Sequence, residues 1–187
     1  MEKNTKQPII SYRDAVQALK TGQIILFQTE IDWVLGCDAG NENAIKNILA
    51  LADDDEVPTI LISDIIHHNQ YVQNVPNIAW DIIEFAEFPL SVLFSKYKGM
   101  PNLLIENQDL SIRFVKDDFP KNLVYQFGRG ILTVPVATKT IELTDEIKQK
   151  ADYQVPSPSG FKAIPYARLS VMKITEDGSI KFIKKGN

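Results

Sequence analysis

The sequence predicts an α/β domain with a mixed sheet, and three patterns predict it. Ile24-Ile25-Leu26-Phe27 is an unbroken apolar run, as expected of a strand buried on both faces and, on that reading, at the centre of the sheet. Up to residue 90 such runs alternate with segments whose apolar residues recur every three or four positions, as amphipathic helices require. Beyond residue 90 strand signals follow one another across turn residues, which implies antiparallel pairing in part of the sheet.

A polar arm, residues 1–10, leads to Ser11, an N-cap for a helix through Ala15, Ala18 and Leu19 that Gly22 stops. The buried strand, 23–28, then gives way to Gln28, Thr29, Glu30 and Asp32, polar side chains at a strand end, where α/β proteins commonly bind ligands. Leu35-Gly36 restores a close-packed turn. Asn41 caps a helix whose Ala44, Ile45, Ile48, Leu49 and Leu51 form one apolar stripe, and which ends in the acidic run Asp53-Asp54-Asp55-Glu56. Residues 58–62 read as a second buried strand. Asp64 opens a helix carrying His67 and His68, which point about 100° apart and read as a surface pair. Pro76 starts a helix through Ile78, Trp80, Ile82, Ile83 and Phe85, and Pro89 stops it. Strands at 90–97, 102–105 and 110–115 follow, with Lys98-Gly99-Met100-Pro101 as a turn. A helix over 119–127, a strand at 131–134, a helix near 144–150 and a hairpin of 169–174 with 179–183 about Asp177-Gly178 complete the pattern. Residues 156–165 form the long loop, a length usually given to function or disorder.

A chain of 187 residues, 44% hydrophobic, can bury one sizeable core, so one domain over 1–187 is expected. No stretch approaches the length of a membrane span, and the start MEKNTKQP lacks the apolar core of a signal peptide, which reads as cytoplasmic. Cys37, the single cysteine, cannot make an intrachain disulfide and has no partner at metal-ligand spacing, so a buried structural role beside the Leu35-Gly36 turn is expected. The acidic run 53–56 lacks the alternation and glycine of a calcium loop, and no metal site is assigned. Residues 1–90 carry 5 Lys or Arg against 14 Asp or Glu, and residues 91–187 carry 15 against 10. Only the second half would suit a phosphate. There is no Gly-rich phosphate loop, nucleophile elbow or Cys-His pairing.

The order of apolar strand, Thr29-Glu30, the aromatic Trp33 and Leu35-Gly36 resembles the P-T-E-T-x-Y-G-L-G signature of the YrdC family, the threonylcarbamoyl-AMP synthases. The resemblance runs from Gly22 to the end. Residues 110–115, with Arg113, are similar to the family's V-A-V-R-V-P strand, and the closing hairpin with Lys184-Lys185-Gly186 is similar to its I-L-R-x-G terminus. The resemblance implies a YrdC-like twisted sheet of parallel and antiparallel strands, flanked by helices, with an open concave groove. It also implies synthesis of threonylcarbamoyl-AMP from ATP, threonine and bicarbonate for tRNA modification, with ATP and magnesium as cofactors if activity is retained. As substrate or nucleotide contacts it points to Thr29, Glu30, Trp33, Ser91, Arg113, Thr133 and Ser170.

The motifs behind that chemistry depart from the family. Gln28, Ile31 and Val34 stand where it has Pro, Thr and Gly, and Trp33 replaces Tyr. Where Lys-x-Arg-Pro places two cations on the nucleotide phosphates, this chain has Ala52, Asp53, Asp54 and Asp55. Pro-Gly-Pro-x-Thr has become 87–91, keeping Pro89 and the hydroxyl of Ser91. Ser-Thr-Ser-Ala-Asn has become 133–137, losing the last Ser and Asn, and Pro-Ser-Thr-Val-Val-Asp has become 168–173, keeping Ser170 but ending on Lys173. Unit charges about 4 Å apart interact by roughly 4 kcal/mol at an effective dielectric near 20, so exchanging the two cations for an alanine and an aspartate in an acidic run costs several kcal/mol of phosphate affinity. Magnesium bridging residues 53–55 to a triphosphate would invert that argument.

Arg113 has two readings, a phosphate or carboxylate clamp and a strand arginine paired with an acid. Trp33 either stacks on a base or packs. The resulting expectation is a YrdC-like protein with lost or altered catalysis; surviving catalysis would use Thr29, Ser91, Arg113 and Ser170, with phosphate neutralisation rebuilt from Lys116 or Lys162. The rival is a non-catalytic module binding double-stranded RNA, tRNA or a protein partner in the same groove. Two placements are expected: Arg113 and Thr29 facing a common cavity, and residues 53–55 at its rim.

Overall fold

Local chemistry sets the ends of the elements. In the computed structural model, which describes residues 8–31, 33–52, 57–72, 74–100, 109–136, 143–157, 159–160, 169–175 and 177–185, helix α1 (Tyr12–Lys20) opens where Ser11 Oγ accepts the Asp14 N–H at 3.2 Å. It closes before Gly22, whose φ of +80° suits the left-handed region. Asn41 Oδ1 accepts the Ala44 N–H at 3.1 Å to open α2 (Glu42–Leu49), and the predicted stripe of Ala44, Ile45 and Ile48 is buried.

Between these helices the chain forms two strands where the sequence suggested one. β1 (Ile25–Gln28) and β2 (Trp33–Asp38) pair antiparallel, with Phe27 opposite Val34. Leu35-Gly36 therefore belongs to a strand rather than a turn. Cys37 is buried within it, its thiol pushed up to about 12 by burial and by the neighbouring Asp38. Gly36 has a packing reason: a Cβ there would lie 2.6 Å from Phe27 Cε1 and 3.1 Å from Ile131 Cγ2. Gly36→Ala is expected to cost about 1–3 kcal/mol through overpacking, read as a fall in the urea midpoint at constant m.

The remaining elements are β3 (Thr59–Ile62), α3 (Ile65–His68), α4 (Asn77–Phe85), β4 (Leu90–Phe94), β5 (Leu110–Phe114), α5 (Asp118–Phe127), β6 (Ile131–Pro135), α6 (Asp145–Gln149), β7 (Tyr153–Gln154), β8 (Ser170–Ile174) and β9 (Ile180–Lys184). The strands form one sheet in the order β7-β1-β2-β6-β3-β5-β4-β8-β9. β1 with β7, β3 with β5 and β4 with β8 are parallel, and the other pairs are antiparallel. The mixed sheet flanked by helices is thus as predicted, but its centre is not β1. That strand lies second from an edge, and β3 occupies the middle with β6 and β5 beside it. Continuous apolarity reports two covered faces, not a central position.

Alternation along the strands divides the core. Leu26, Leu35, Ile60, Ile112 and Leu132 pack with α2 and α4, while Ile25, Phe27, Val34, Leu61 and Ile131 pack with α1 and α5 on the other face. At the β7 edge, Ile10 N–H donates to Gln154 O and Gln154 N–H to Pro8 O, both at 3.0 Å, so residues 8–10 of the expected arm extend the sheet. The strand expected at 102–105 lies outside the described residues.

The two histidines are not on the surface. His68 is fully buried, its ring centroid 4.5 Å from Trp80, 5.3 Å from Phe94 and 5.7 Å from Phe114. His67 is buried too, its Nδ1 3.1 Å from Ser63 Oγ. Both directions lead inward because this one-turn helix packs against α4, β4 and β5, while Ile65 and Ile66 take the exposed positions, at 49% and 72%. Among the described residues no helix is long and apolar enough to cross a membrane.

Candidate functional site

β5 places Ser111 and Arg113, two residues apart, on one face. Across the ladder Arg113 stands beside Ser91 of β4, Ser111 beside Thr59 of β3, and Thr59 beside Thr133 of β6. Thr133 Oγ1 donates to Thr59 O at 2.8 Å, and the Thr59 and Ser111 hydroxyls are 2.9 Å apart. The sheet interior thus carries a polar floor on the side of α1 and α5, where a purely structural sheet would carry aliphatic side chains. Ser91 and Thr133 were legible from the motifs. Thr59 and Ser111 were missed, although the spacing of Ser111 from Arg113 signals a shared face.

Over this floor folds the tip of the β1–β2 hairpin. Neighbouring strands lie about 4.8 Å apart, so β1 and β5, four places apart in the order, would be about 19 Å apart in a flat sheet. Yet Arg113 Nη2 donates to Thr29 Oγ1 at 3.3 Å, and Arg113 Nε lies 3.3 Å from Glu30 Oε1. Sheet twist and a folded-back tip close that gap. Arg113 and Glu30 are 4% and 3% exposed, and Thr29 is fully buried. The expected meeting of Arg113 with Thr29 is present, and of the two readings of Arg113 the geometry contains the pairing with an acid. Removing two charges from water costs several kcal/mol each, which their mutual attraction offsets only while both stay in place.

The other candidates are dispersed. Trp33 packs, half-buried, against the core cluster on the α2 side. Ser170 pairs with Leu90 while Val171 pairs with Ser91, and alternation puts Ser170 on the face opposite Arg113. A shift of one residue decides this. Lys116 Nζ donates to the carbonyls of Glu84 at 3.0 Å and Ala86 at 2.6 Å, at the C-terminal end of α4. Desolvation lowers its pKa, and Glu84 opposes the shift. Lys173, the base in place of the family's acid, pairs with Asp109 at 2.7 Å. Residues 53–55 and Lys162 lie outside the described residues. A contact the sequence did not suggest joins the substituted Gln28 to the long loop: Ser157 Oγ donates to Gln28 Oε1 at 2.6 Å. Among the described residues no three His, Cys, Asp or Glu side chains converge to hold a metal ion.

A threonylcarbamoyl-AMP synthase of Pseudoalteromonas translucida (strain TAC 125) is 24% identical over 166 residues, covering 81% of this chain and 88% of the relative. The crystal structure of E. coli YciO superposes with a TM-score of 0.72 at 20% identity, over 94% of this chain and 88% of that one. P. abyssi Sua5 complexed with L-threonine superposes with a TM-score of 0.69 at 18% identity, over 88% of this chain but 54% of that one. The Sua5/YciO/YrdC family model, described as telomere recombination, matches residues 17–186, and the chain belongs to that family.

Proposed function

We propose that this chain is a cytoplasmic relative of the threonylcarbamoyl-AMP synthases in which ATP-dependent synthesis from threonine and bicarbonate is lost or altered. The observation that carries this reading is the burial of the Arg113 guanidinium against Thr29 and Glu30. Adenylate formation needs cations aimed at the phosphates. Lys116 and Lys173 are held by carbonyls and by Asp109, and Ala52 and Asp54 occupy the family's cationic positions. Calorimetric titration with ATP, with and without magnesium and threonine, is expected to give no saturable heat. Pyrophosphate release from ATP, threonine and bicarbonate is expected to stay at the buffer rate. Release that requires both threonine and bicarbonate would overturn the reading.

The second reading, a module for double-stranded RNA, tRNA or a protein partner, draws on the 15 Lys or Arg against 10 Asp or Glu in residues 91–187. Burial of Arg113 and engagement of Lys116 take two of those cations away from phosphate contact. Filter retention of duplex RNA is therefore expected to be weak at low salt and absent at physiological salt. Tight, salt-resistant retention would favour the module over the altered enzyme.

A further inference from the structure

A cavity of about 590 Å³ opens at the carboxyl ends of the parallel neighbours β3 and β5. After β3 the chain passes to α3 and α4 on one face of the sheet, and after β5 it passes to α5 on the other. Departure to opposite faces from adjacent parallel strands leaves a crevice between them, the place where open α/β sheets bind ligands. No residue of the polar floor lines it: Thr59, Ser91, Ser111, Arg113 and Thr133 are not in its walls, and Arg113 and Phe114, adjacent on β5, face opposite sides of the sheet. Its volume falls within the roughly 300–1,000 Å³ of small-molecule pockets.

The lining is selective. Trp80 and Ile83 of α4, with Phe114 and Val115 at the end of β5, supply an apolar wall, and Trp80 stands edge-on to Phe114 with centroids 5.8 Å apart. Four charges share the rest, Asp64 and Glu84 against Lys116 and Lys121. Two are fixed by the fold: Asp64 Oδ1 accepts the His67 N–H at 2.9 Å, and Lys116 Nζ is directed at the end of α4. That leaves the exposed Glu84 and Lys121 to face a ligand: a ligand of one net sign meets repulsion from one of them, whereas a ligand carrying both charges meets a partner for each. We propose that this cavity is a second ligand site, taking a small zwitterion with a large apolar body, of the size of an aromatic amino acid or an apolar dipeptide.

The cavity contains Trp80 and not Trp33, so NMR of the two indole N–H groups reads its occupancy, with Trp80→Phe identifying the signal. Phenylalanine titrated to millimolar concentration is expected to shift the Trp80 signal saturably and leave that of Trp33 still. Phenylpropionate, lacking the amine, and phenethylamine, lacking the carboxylate, should each bind about tenfold more weakly, since each forfeits a charge-assisted contact. Glu84→Gln and Lys121→Gln, at exposed positions, should each weaken phenylalanine by up to about fivefold. A Trp80 shift that never saturates, or either truncated probe binding as tightly as phenylalanine, overturns the proposal.

Discussion

Arg113→Met is expected to destabilise the protein by roughly 3–5 kcal/mol, because it leaves the Glu30 carboxylate buried without the guanidinium that faces it. Urea unfolding at neutral pH measures this as a fall in midpoint. Combining Arg113→Met with Glu30→Met is expected to recover most of the loss, since an apolar pair of similar volume carries no desolvation cost. Arg113→Lys should be poorly tolerated, because an ammonium cannot span Thr29 and Glu30 with the planar fork that guanidinium offers. The functional stake is direct. If Arg113→Met costs less than about 1 kcal/mol, the side chain is not a structural ion-pair partner, and the ligand-clamp reading of Arg113 returns.

Acidification supplies the second large effect. Burial lowers the pKa of His68 from 6.5 to about 4, with the Asn69 side chain opposing the shift. The neutral ring is the form that packs among Trp80, Phe94 and Phe114. As pH falls below 6.5 the unfolded chain takes up a proton at this residue before the folded one does. The stabilisation is therefore complete above pH 6.5 and lost progressively down to about pH 4, by about 3 kcal/mol. Comparing urea unfolding of wild type and His68→Leu at pH 7 and pH 4 isolates it. The stability difference between the two proteins should change by that amount in favour of the variant at low pH. An unchanged difference would mean that His68 is hydrated or protonated in the folded state.

Features set by neighbouring residues were legible before any fold was known. Ser11 and Asn41 cap their helices because a side-chain oxygen three positions upstream is enough to satisfy an otherwise unpaired N–H. The apolar stripes became buried faces, and Asp177-Gly178 turned the last hairpin, with Gly178 at φ +81°. The motif of Thr29, Glu30, Leu35 and Gly36, with Arg113, pointed to the family and hence to the mixed sheet. Features set by contacts between distant segments were not legible. β2 was hidden because Gly36 interrupts its pattern, and the reason for that glycine is the ring of Phe27 on the paired strand. The burial of His68 depends on contacts from three other elements, so two adjacent histidines could not reveal it. Ser170 falls on the face opposite Arg113 through a one-residue difference in register. Arg113 acquired its partners from the hairpin tip 84 residues earlier, and whether its charge meets a phosphate or Glu30 depends on how the sheet twists, which no local pattern encodes.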